Sequence, residues 1–354
     1  MPRKLLQIVN SVAPIRVCDN GGWTDTWFAG HGQVFNIAVY PYAEVQMRVY
    51  ANDGDRARIT IHAENYGQRY TIAEPHGVYD KHPLLEAAVD YMHVPADVSI
   101  EVSIFSEAPG GCSTGTSAAV SVAMIGALDC LTPGRLAPHE VALAAQKIET
   151  ELLKQQCGIQ DQIASAYGGI NYIDMYQYPH ATVSQLFLSD SIWWELETRL
   201  SLVYVGDSHS SSDVHKMVIR EMENEGPESP RLKRLRIPAG KAKDALYAGD
   251  FDAFGRSMIE NTDAQENLHP ALVGVHHHRI IEIGKAHGAI GWKVNGAGGT
   301  GGSVTLLSGP DRTRKRAMLQ AIEAENAKYR NIPIYLSRFG LRRWQSILNG
   351  EEHL

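Results

Sequence analysis

A segment rich in glycine and hydroxyl residues is the first part of the chain whose residue types could do chemistry. It runs from Ala108 to Ala119, between an expected strand and an expected buried helix. Free amides at a helix N-terminus point at an anion, the helix dipole adds to their attraction, and hydroxyls there can donate to phosphate or bind Mg2+. The pattern is typical of a phosphate site, although a plain turn with Ser or Thr caps would use the same residues.

A second glycine-rich segment, from Gly296 to Gly301, matches the GxGxxG spacing of dinucleotide-binding proteins. That fingerprint needs a helix after the glycines, whereas residues 302–307 continue as a strand. We therefore predict a hairpin-like glycine loop in which the backbone can approach a phosphate closely. The chain contains no GxxxxGK[ST] motif, so neither segment is the usual nucleotide loop.

The elements around the first glycine segment can be predicted from hydrophobic periodicity. From Val98 to Ile104 every second residue is apolar, which is the period of a half-buried strand. Residues 117–131 are apolar on all sides, as in a fully buried helix, and 138–156 read as an amphipathic helix. The glycine segment is thus expected to connect a strand to a buried helix.

The length of 354 residues predicts two packed domains, because single cores stop growing near roughly 250 to 300 residues. A change of composition near residue 195 divides the chain into 1–195 and 196–354. Both parts combine expected strands with expected helices, so the predicted fold class is α+β.

Composition and charge exclude several kinds of partner. The chain has 33 Lys plus Arg against 40 Asp plus Glu, and the net charge of -7 gives no general attraction to nucleic acid or anionic lipid. We expect no nucleic-acid partner and no membrane partner. The lack of a signal-length apolar run predicts a soluble, cytoplasmic protein, and the four cysteines lack metal-finger spacing.

Three polar groups have simpler interpretations. The adjacent histidines 276–278 cannot all face one metal ion on a helix, so we interpret them as a solvated helix face. The basic clusters 231–236 and 312–316 are also interpreted as solvated faces.

Several segments in this order resemble the GHMP kinase superfamily. The superfamily segments are Ala13-Pro-Ile-Arg-Val17, Pro109 to Ala119, and Val294-Asn-Gly-Ala-Gly-Gly-Thr-Gly301. Three more resemble its sugar-kinase branch, especially heptose 7-phosphate kinases and the kinase part of fucokinases: Asn20-Gly-Gly-Trp-Thr-Asp-Thr26, His31 to Ala38, and Gly158 to Asn171. The resemblance spans nearly the whole chain.

The resemblance implies a two-domain GHMP kinase fold and a phosphotransfer activity. The N-terminal domain would be ribosomal protein S5 domain 2-like with a left-handed βαβ element, the C-terminal domain ferredoxin-like, and the active site would lie between them. The implied partners are ATP, Mg2+ and a sugar or sugar phosphate, most like a heptose 7-phosphate phosphorylated at the anomeric position. A fucokinase-like or other monosaccharide kinase and a catalytically silent sensor are the alternatives, and a homodimer is a further expectation.

By the same resemblance, Asp161 faces the acceptor hydroxyl and Arg16 lies near the transferred phosphoryl group. A carboxylate can orient a weak sugar nucleophile and take its proton late, while cations absorb charge on the phosphoryl oxygens. Ser117 and Glu149 match the Mg2+ ligands. A helix cap for Asp161, a surface strand position for Arg16 and a solvated helix charge for Glu149 stay open as alternatives.

The first glycine segment, which we call the phosphate loop, matches the ATP-binding loop of the superfamily. Cys112-Ser113-Thr114 stands where a glycine and an apolar residue are usual, and this departure could narrow the access of phosphate. The residues expected to bind ATP are Pro109, Gly110, Gly111, Cys112, Ser113, Thr114, Gly115, Thr116, Ser117 and Ala118.

The acceptor side is expected to use Asp25, which matches the acidic residue that holds sugar hydroxyls, with a turn cap as the alternative. The polar run 206–213 precedes an expected helix, and we predict that His209, Ser210, Ser211 and Ser212 contact the acceptor or its phosphate. Capping alone would explain two of these residues. The expected substrate-binding residues are Gly22, Thr24, Asp25, His31, Ser210, Ser211, Gly298 and Gly299.

Overall fold

The computed structural model describes residues 4–54, 57–72, 77–206 and 211–346, with the backbone alone for 211–215. The strands are β1 (Leu5–Asn20), β2 (Gly32–Ala51), β3 (Ile59–Ala63), β4 (Gln68–Ile72), β5 (Val98–Ser106), β6 (Ile170–Gln177), β7 (His180–Gln185), β8 (Leu200–Tyr204), β9 (Ala289–Val294), β10 (Ser303–Ser308), β11 (Arg330–Ile332), β12 (Tyr335–Leu336) and β13 (Arg342–Gln345). The helices are α1 (Pro83–Met92), α2 (Thr116–Leu128), α3 (Pro138–Lys147), α4 (Gln160–Tyr167), α5 (Asp190–Arg199), α6 (Ser211–Glu225), α7 (Pro230–Ala248), α8 (Phe251–Leu268), α9 (Val275–Ala286) and α10 (Arg312–Glu325). This mixture confirms the predicted α+β class.

The larger of two sheets has the strand order β13-β1-β2-β5-β3-β4, and β6, β7 and β12 extend it from β2. β1 and β2 pair antiparallel along most of their length, whereas β3 and β5 pair in parallel. The predicted alternation in β5 is confirmed, because Ile100, Val102 and Ile104 are buried while Phe105 is exposed. β1 carries Arg16 and Asp19 near its C-terminal end.

Helix α2 packs against this sheet and is buried almost completely from Ala118 to Leu128, as predicted. Helix α3 continues into one π-helical turn, Ile148–Leu152, and the helix ends there rather than at residue 156. Turns of this kind are frequent at functional sites, and this one carries Glu149.

The smaller sheet has the antiparallel order β11-β8-β10-β9. Helices α9 and α10 cover one face, where Ile280, Leu306 and Met318 share a buried core. Helix α8 contacts both β9 of this sheet and β1 of the larger one. After β11 the chain returns to the larger sheet, where β12 pairs with β2 and β13 with β1. The division at residue 195 stays a prediction.

Three long elements were not predicted: β1, α5 and α7. Every residue of β1 from Ala13 to Asn20 is buried, including the polar Arg16, Asp19 and Asn20, so this part of the strand has no exposed polar face to mark it. Helix α7 contains the basic cluster 231–236, and its interpretation as a solvated face was wrong for Arg236. That side chain is 8% exposed and donates to the carbonyl oxygens of Ala29 and His31.

No helix in the part of the chain that the structure describes is long and apolar enough to cross a membrane.

Candidate active site

Arg16 and Asp161 form the centre of the site. Arg16 lies in β1 and Asp161 in the first turn of α4. The Arg16 Nε donates to Asp161 Oδ1 at 2.8 Å, and its Nη1 donates to the carbonyl oxygen of Ser113 at 2.6 Å. Arg16 is 3% exposed and Asp161 is 30% exposed. The guanidinium is therefore held inside the protein, which excludes a surface strand position for Arg16, and the carboxylate reaches solvent.

The surrounding charges keep Arg16 protonated. Burial lowers the pKa of Arg16, but the carboxylates of Asp161 and Asp19 outweigh burial and raise the pKa above its ordinary value. Asp19 Oδ2 lies 3.7 Å from Arg16 Nη2. A permanent cation beside an accessible carboxylate can stabilise negative charge that develops on transferred oxygens.

The phosphate loop connects β5 to α2 and presents the start of that helix to Asp161. Gly115 is the N-cap of α2 with a φ of +71°, and a Cβ there would lie 3.1 Å from Asp161 Cγ. Because glycine has no side-chain acceptor, no Ser or Thr caps the helix, in contrast to the plain-turn alternative. Ser117 is exposed in the first turn, and the hydroxyl of the buried Thr114 lies 3.4 Å from that of Thr116. The first amides of α2 are thus available to an anion.

The second glycine segment forms the predicted hairpin, which we call the glycine hairpin (residues 295–302), between the antiparallel strands β9 and β10. The Ser303 hydroxyl donates to the carbonyl oxygen of Cys112 at 2.6 Å, so the hairpin lies directly against the phosphate loop. Gly298 and Gly299 face the opposite side. The Gly299 amide donates to the Leu272 carbonyl oxygen at 3.3 Å, and a Cβ on Gly298 would lie 1.9 Å from that oxygen.

His277 anchors this hairpin from α9, and its interpretation as a solvated residue was wrong. The side chain is fully buried. Its Nδ1 accepts from the Gly274 amide at 2.9 Å, so its Nε2 carries the proton and donates to the Gly301 carbonyl oxygen at 2.8 Å.

Asp25 is buried beside the helix that carries Asp161. Its Oδ2 accepts from the backbone amides of Ile159 at 2.9 Å and Gln160 at 3.0 Å, at the start of α4. Burial raises the pKa of Asp25 to about 6, with the Gln160 amide opposing burial and the charge of Asp161 adding to it. A Cβ on Gly158 would lie 2.0 Å from Asp25 Oδ2, so only glycine fits there. The carboxylate therefore fixes the position of α4, the helix that carries Asp161.

Glu149 is 7% exposed, which excludes a solvated helix charge. Its Oε1 accepts from Gln162 Nε2 at 2.7 Å. Burial raises the pKa of Glu149 to about 7, the Gln162 hydrogen bond opposes this, and the charge of Asp161 adds to it. No group of three or more His, Cys, Asp or Glu side chains that could hold a metal occurs within the described ranges.

The structure gives Thr24 and His31, two further residues expected to bind the substrate, contacts within the protein itself. Thr24 is fully buried, and its hydroxyl donates to the Gly21 carbonyl oxygen at 2.7 Å inside the turn. The imidazole of His31 points toward Glu228, with Nε2 and Oε1 3.8 Å apart. His209 and Ser210 lie outside the described residues, as do the side chains of Ser211 and Ser212.

Residues that the sequence did not single out complete the site. Asp19 and Lys293 are both buried and lie 3.2 Å apart, Oδ1 to Nζ. A Cβ on Gly22 would lie 2.9 Å from Asp19 Oδ2, so a glycine is required where the chain passes this carboxylate. Asp19 could have been suspected from its place near Arg16, but nothing in the sequence connects either residue to Lys293.

Comparison with known proteins adds independent information. Residues 83–169, which include the phosphate loop, Glu149 and Asp161, match the family described as GHMP kinases N terminal domain. The chain is 24% identical to D-glycero-alpha-D-manno-heptose 7-phosphate kinase of Campylobacter jejuni over 248 residues, which is 70% of this chain and 71% of the relative. It is 31% identical to a mevalonate kinase of Pyrococcus horikoshii over 253 residues, 69% of each chain.

Among solved structures, a D-glycero-D-manno-heptose 1-phosphate kinase from Bacteriodes thetaiotaomicron superimposes with a TM-score of 0.75 at 22% identity. The match covers 96% of this chain and all of the other. At that identity the likeness establishes the fold and no more.

Proposed function

The chain belongs to the GHMP kinase superfamily, and from this premise we propose that it transfers the terminal phosphoryl group of ATP to a hydroxyl of a sugar or sugar phosphate. The observation that carries the proposal is the contact between Arg16 and the partly exposed Asp161 of α4. This contact lies beside Gly115, the N-cap of α2. A silent sensor would need neither group, so this contact favours an enzyme. We further propose that it acts in the cytoplasm.

Asp161 is the group that we assign to the acceptor. Its carboxylate would orient the sugar hydroxyl and accept its proton as the oxygen attacks the terminal phosphorus of ATP and the bond to the leaving ADP oxygen breaks. Arg16 holds one oxygen of Asp161 and keeps its charge beside the transferred group. In a loose transition state this fixed positive charge stabilises the equatorial phosphoryl oxygens.

The phosphate loop supplies the binding site for ATP in this proposal. The first amides of α2, the glycine backbone and the exposed Ser117 hydroxyl are suitable donors to phosphate oxygens. Gly115 allows the loop to pass close to Asp161, and this closeness brings the phosphates toward the acceptor.

We propose that two oxygen donors, Ser117 and Glu149, would hold Mg2+ together with the nucleotide. Ser117 offers a hydroxyl and Glu149 a carboxylate, and Mg2+ takes few protein oxygens because it keeps waters and shares the nucleotide phosphates. Glu149 is buried and forms no ion pair with a described Lys, Arg or His, and burial raises its pKa to about 7. When bound, Mg2+ would neutralise charge on the ATP phosphates.

We propose a sugar as acceptor because of the charge on that side of the site. Asp25 lies beside α4, and its charge adds to that of Asp161 and Glu149. Carboxylates accept hydrogen bonds from several hydroxyls of a polyol, whereas they repel a carboxylate. The likeness to a heptose 7-phosphate kinase supports a heptose acceptor, with a fucokinase-like or other monosaccharide kinase as the alternative.

Mevalonate is the second candidate acceptor, because the mevalonate kinase relative has the higher identity. Mevalonate is itself a carboxylate, so the charge of Asp25 argues against it.

The homodimer expected from the sequence stays a prediction, which light scattering of the purified protein would check.

A screen of ATP consumption across free sugars, sugar phosphates and mevalonate tests the proposal. We expect consumption with a sugar or sugar phosphate and its loss in the Asp161→Asn variant. The proposal would be contradicted if no sugar supported consumption, or if mevalonate alone did.

A further inference from the structure

Lys293 is a buried cation that the proposed mechanism does not use. It lies in β9 and is 1% exposed. Its ammonium lies 3.2 Å from Asp19 Oδ1, donates to Gln265 Oε1 at 2.8 Å and also donates to the carbonyl oxygen of Val294. These contacts join β1, α8 and β9.

The partners of Lys293 hold both peptide groups of Gly296, the first glycine of the glycine hairpin. The Gly296 amide donates to Asp19 Oδ2 at 3.0 Å, and Gln265 Nε2 donates to the Gly296 carbonyl oxygen at 2.8 Å. Gly296 has a φ of +55°, which favours glycine. This glycine is thus fixed from two sides.

Gly296 is also where the hairpin meets the centre of the site. A Cβ there would lie 2.9 Å from the Ser113 carbonyl oxygen and 3.3 Å from Arg16 Nη2. The same Asp19 Oδ2 that accepts from Gly296 faces Arg16 Nη2 at 3.7 Å. One carboxylate therefore contacts the hairpin, Arg16 and Lys293.

The charges of this group are balanced despite its burial. Burial raises the pKa of Asp19, but Arg16 and Lys293 outweigh burial and hold the pKa below its ordinary value. Burial lowers the pKa of Lys293, opposed by Asp19. A buried ion pair of this kind contributes little net stability compared with apolar residues of the same shape. Stability alone is a weak reason for placing these charges here.

We propose that Asp19, Lys293 and Gln265 form a positioning network that fixes the glycine hairpin and Arg16 relative to each other for phosphoryl transfer. The proposal rests on the proposed kinase function. None of the three is placed in contact with ATP or the acceptor; they act through Gly296 and Arg16. Loss of the network should lower turnover more than it weakens ATP binding, because the phosphate loop keeps its own contacts.

A double-mutant cycle tests the network. Asp19→Asn leaves the buried Lys293 without its carboxylate partner. Lys293→Met removes the positive charge of the pair. The double variant removes both charges of the pair, so it leaves neither Asp19 nor Lys293 as an unpaired buried ion. The matched control is the pair Asp129 and Arg343, 2.6 Å apart and 8% and 18% exposed, changed to Asn and Met. Gln265→Met, which keeps the ion pair, is a second test if Asp19→Asn does not fold.

We expect the double variant to melt at a higher temperature than Asp19→Asn while its kcat stays at least about tenfold below that of the unchanged protein, with KM for ATP within about threefold. Gln265→Met should lower kcat in the same way, and the control pair should change melting alone. Recovery of kcat together with stability, or an equal loss of kcat in the control pair, would overturn the proposal.

Hydrogen exchange separates this proposal from the kinase assignment. If the unchanged protein consumed no ATP with any acceptor, the kinase assignment would fail, but the exchange rates of residues 295–302 would still report on the hairpin. The network predicts faster exchange there in the double variant and in Gln265→Met, and no change in the control pair. Unchanged exchange in both would refute it.

Discussion

The two sides of the candidate site differ in how the protein compensates its carboxylates. On the side that we assign to phosphoryl transfer, Asp19 lies between two buried cations, Arg16 and Lys293, and its pKa is lowered despite burial. On the side that we assign to the acceptor and the metal, Asp25 and Glu149 accept hydrogen bonds from amides and form no ion pair with a described Lys, Arg or His. Burial raises their pKa values to about 6 and about 7. The first side is complete by itself, whereas the second has negative charge available for ligands.

This difference separates charges that the protein itself neutralises from charges that we expect a ligand to neutralise. In the proposed function, Arg16 and Lys293 are held in place by the protein before the nucleotide binds, which is the condition for electrostatic stabilisation without rearrangement. We expect the ionised forms of Asp25 and Glu149 to be stabilised when Mg2+ or sugar hydroxyls bind to them. Changes on the two sides should therefore produce different kinetic effects.

The largest effect is expected where the two sides meet, at Asp161. Asp161→Asn keeps the shape and can still accept from Arg16 Nε, but it removes the proton acceptor. Turnover should fall at least about a hundredfold while ATP binding stays nearly unchanged. Steady-state rates and calorimetric ATP binding check this, with exposed Asp174→Asn as the control. Turnover within a few-fold of the unchanged protein would refute the role of Asp161.

The next effect concerns the metal. Glu149→Gln and Ser117→Ala should each raise the Mg2+ concentration needed for half-maximal rate several-fold, because each removes or weakens an oxygen ligand. Glu151→Gln is a matched control, since Glu151 lies in the same π-helical turn but is exposed. If neither variant shifts the Mg2+ titration relative to this control, the metal lies elsewhere.

A smaller effect is expected at Asp25. Asp25→Ala should mainly raise KM for the acceptor and relax the choice among sugars, since it removes a partner of hydroxyls and not of phosphate. Asp25→Asn keeps an oxygen that can accept from the amides of Ile159 and Gln160. This variant therefore removes the negative charge while it keeps the contacts with the start of α4. An unchanged acceptor profile combined with weaker ATP binding would contradict the assignment.

The smallest effect is on stability. Because the pKa of Glu149 is raised from 4.5 to about 7 in the folded protein, the folded state binds a proton more tightly than the unfolded state. The free energy of unfolding should therefore fall as pH rises through this window, by on the order of 3 kcal/mol from this group. Urea unfolding of the unchanged protein and Glu149→Gln at several pH values checks this. Parallel curves for the two proteins would contradict it.

The local parts of the site were predictable from sequence. Glycines before an apolar stretch predicted the phosphate loop and α2, and the strand after Gly301 predicted the hairpin, because each signal lies within one short segment. Such patterns depend on neighbouring residues alone.

The contacts that join distant segments could not be predicted. Lys293 meets Asp19, and Arg236 meets the carbonyl of His31, only after β1, α7 and β9 have packed together. Lys and Arg side chains are usually exposed, so residue type alone predicted that Lys293 and Arg236 would be solvated. Burial of both faces likewise removed the alternation that would have marked β1.

Proton release on ligand binding tests most directly whether Glu149 becomes ionised when Mg2+ binds. Burial raises the pKa of Glu149 to about 7, so part of the Glu149 population is protonated in the free protein at pH 7. Titration calorimetry with Mg2+ and a non-hydrolysable ATP analogue, in two buffers of different ionisation enthalpy, measures the protons released. The account predicts that the unchanged protein releases more protons than Glu149→Gln, because a metal ligand must be ionised. Equal release from both proteins would contradict it.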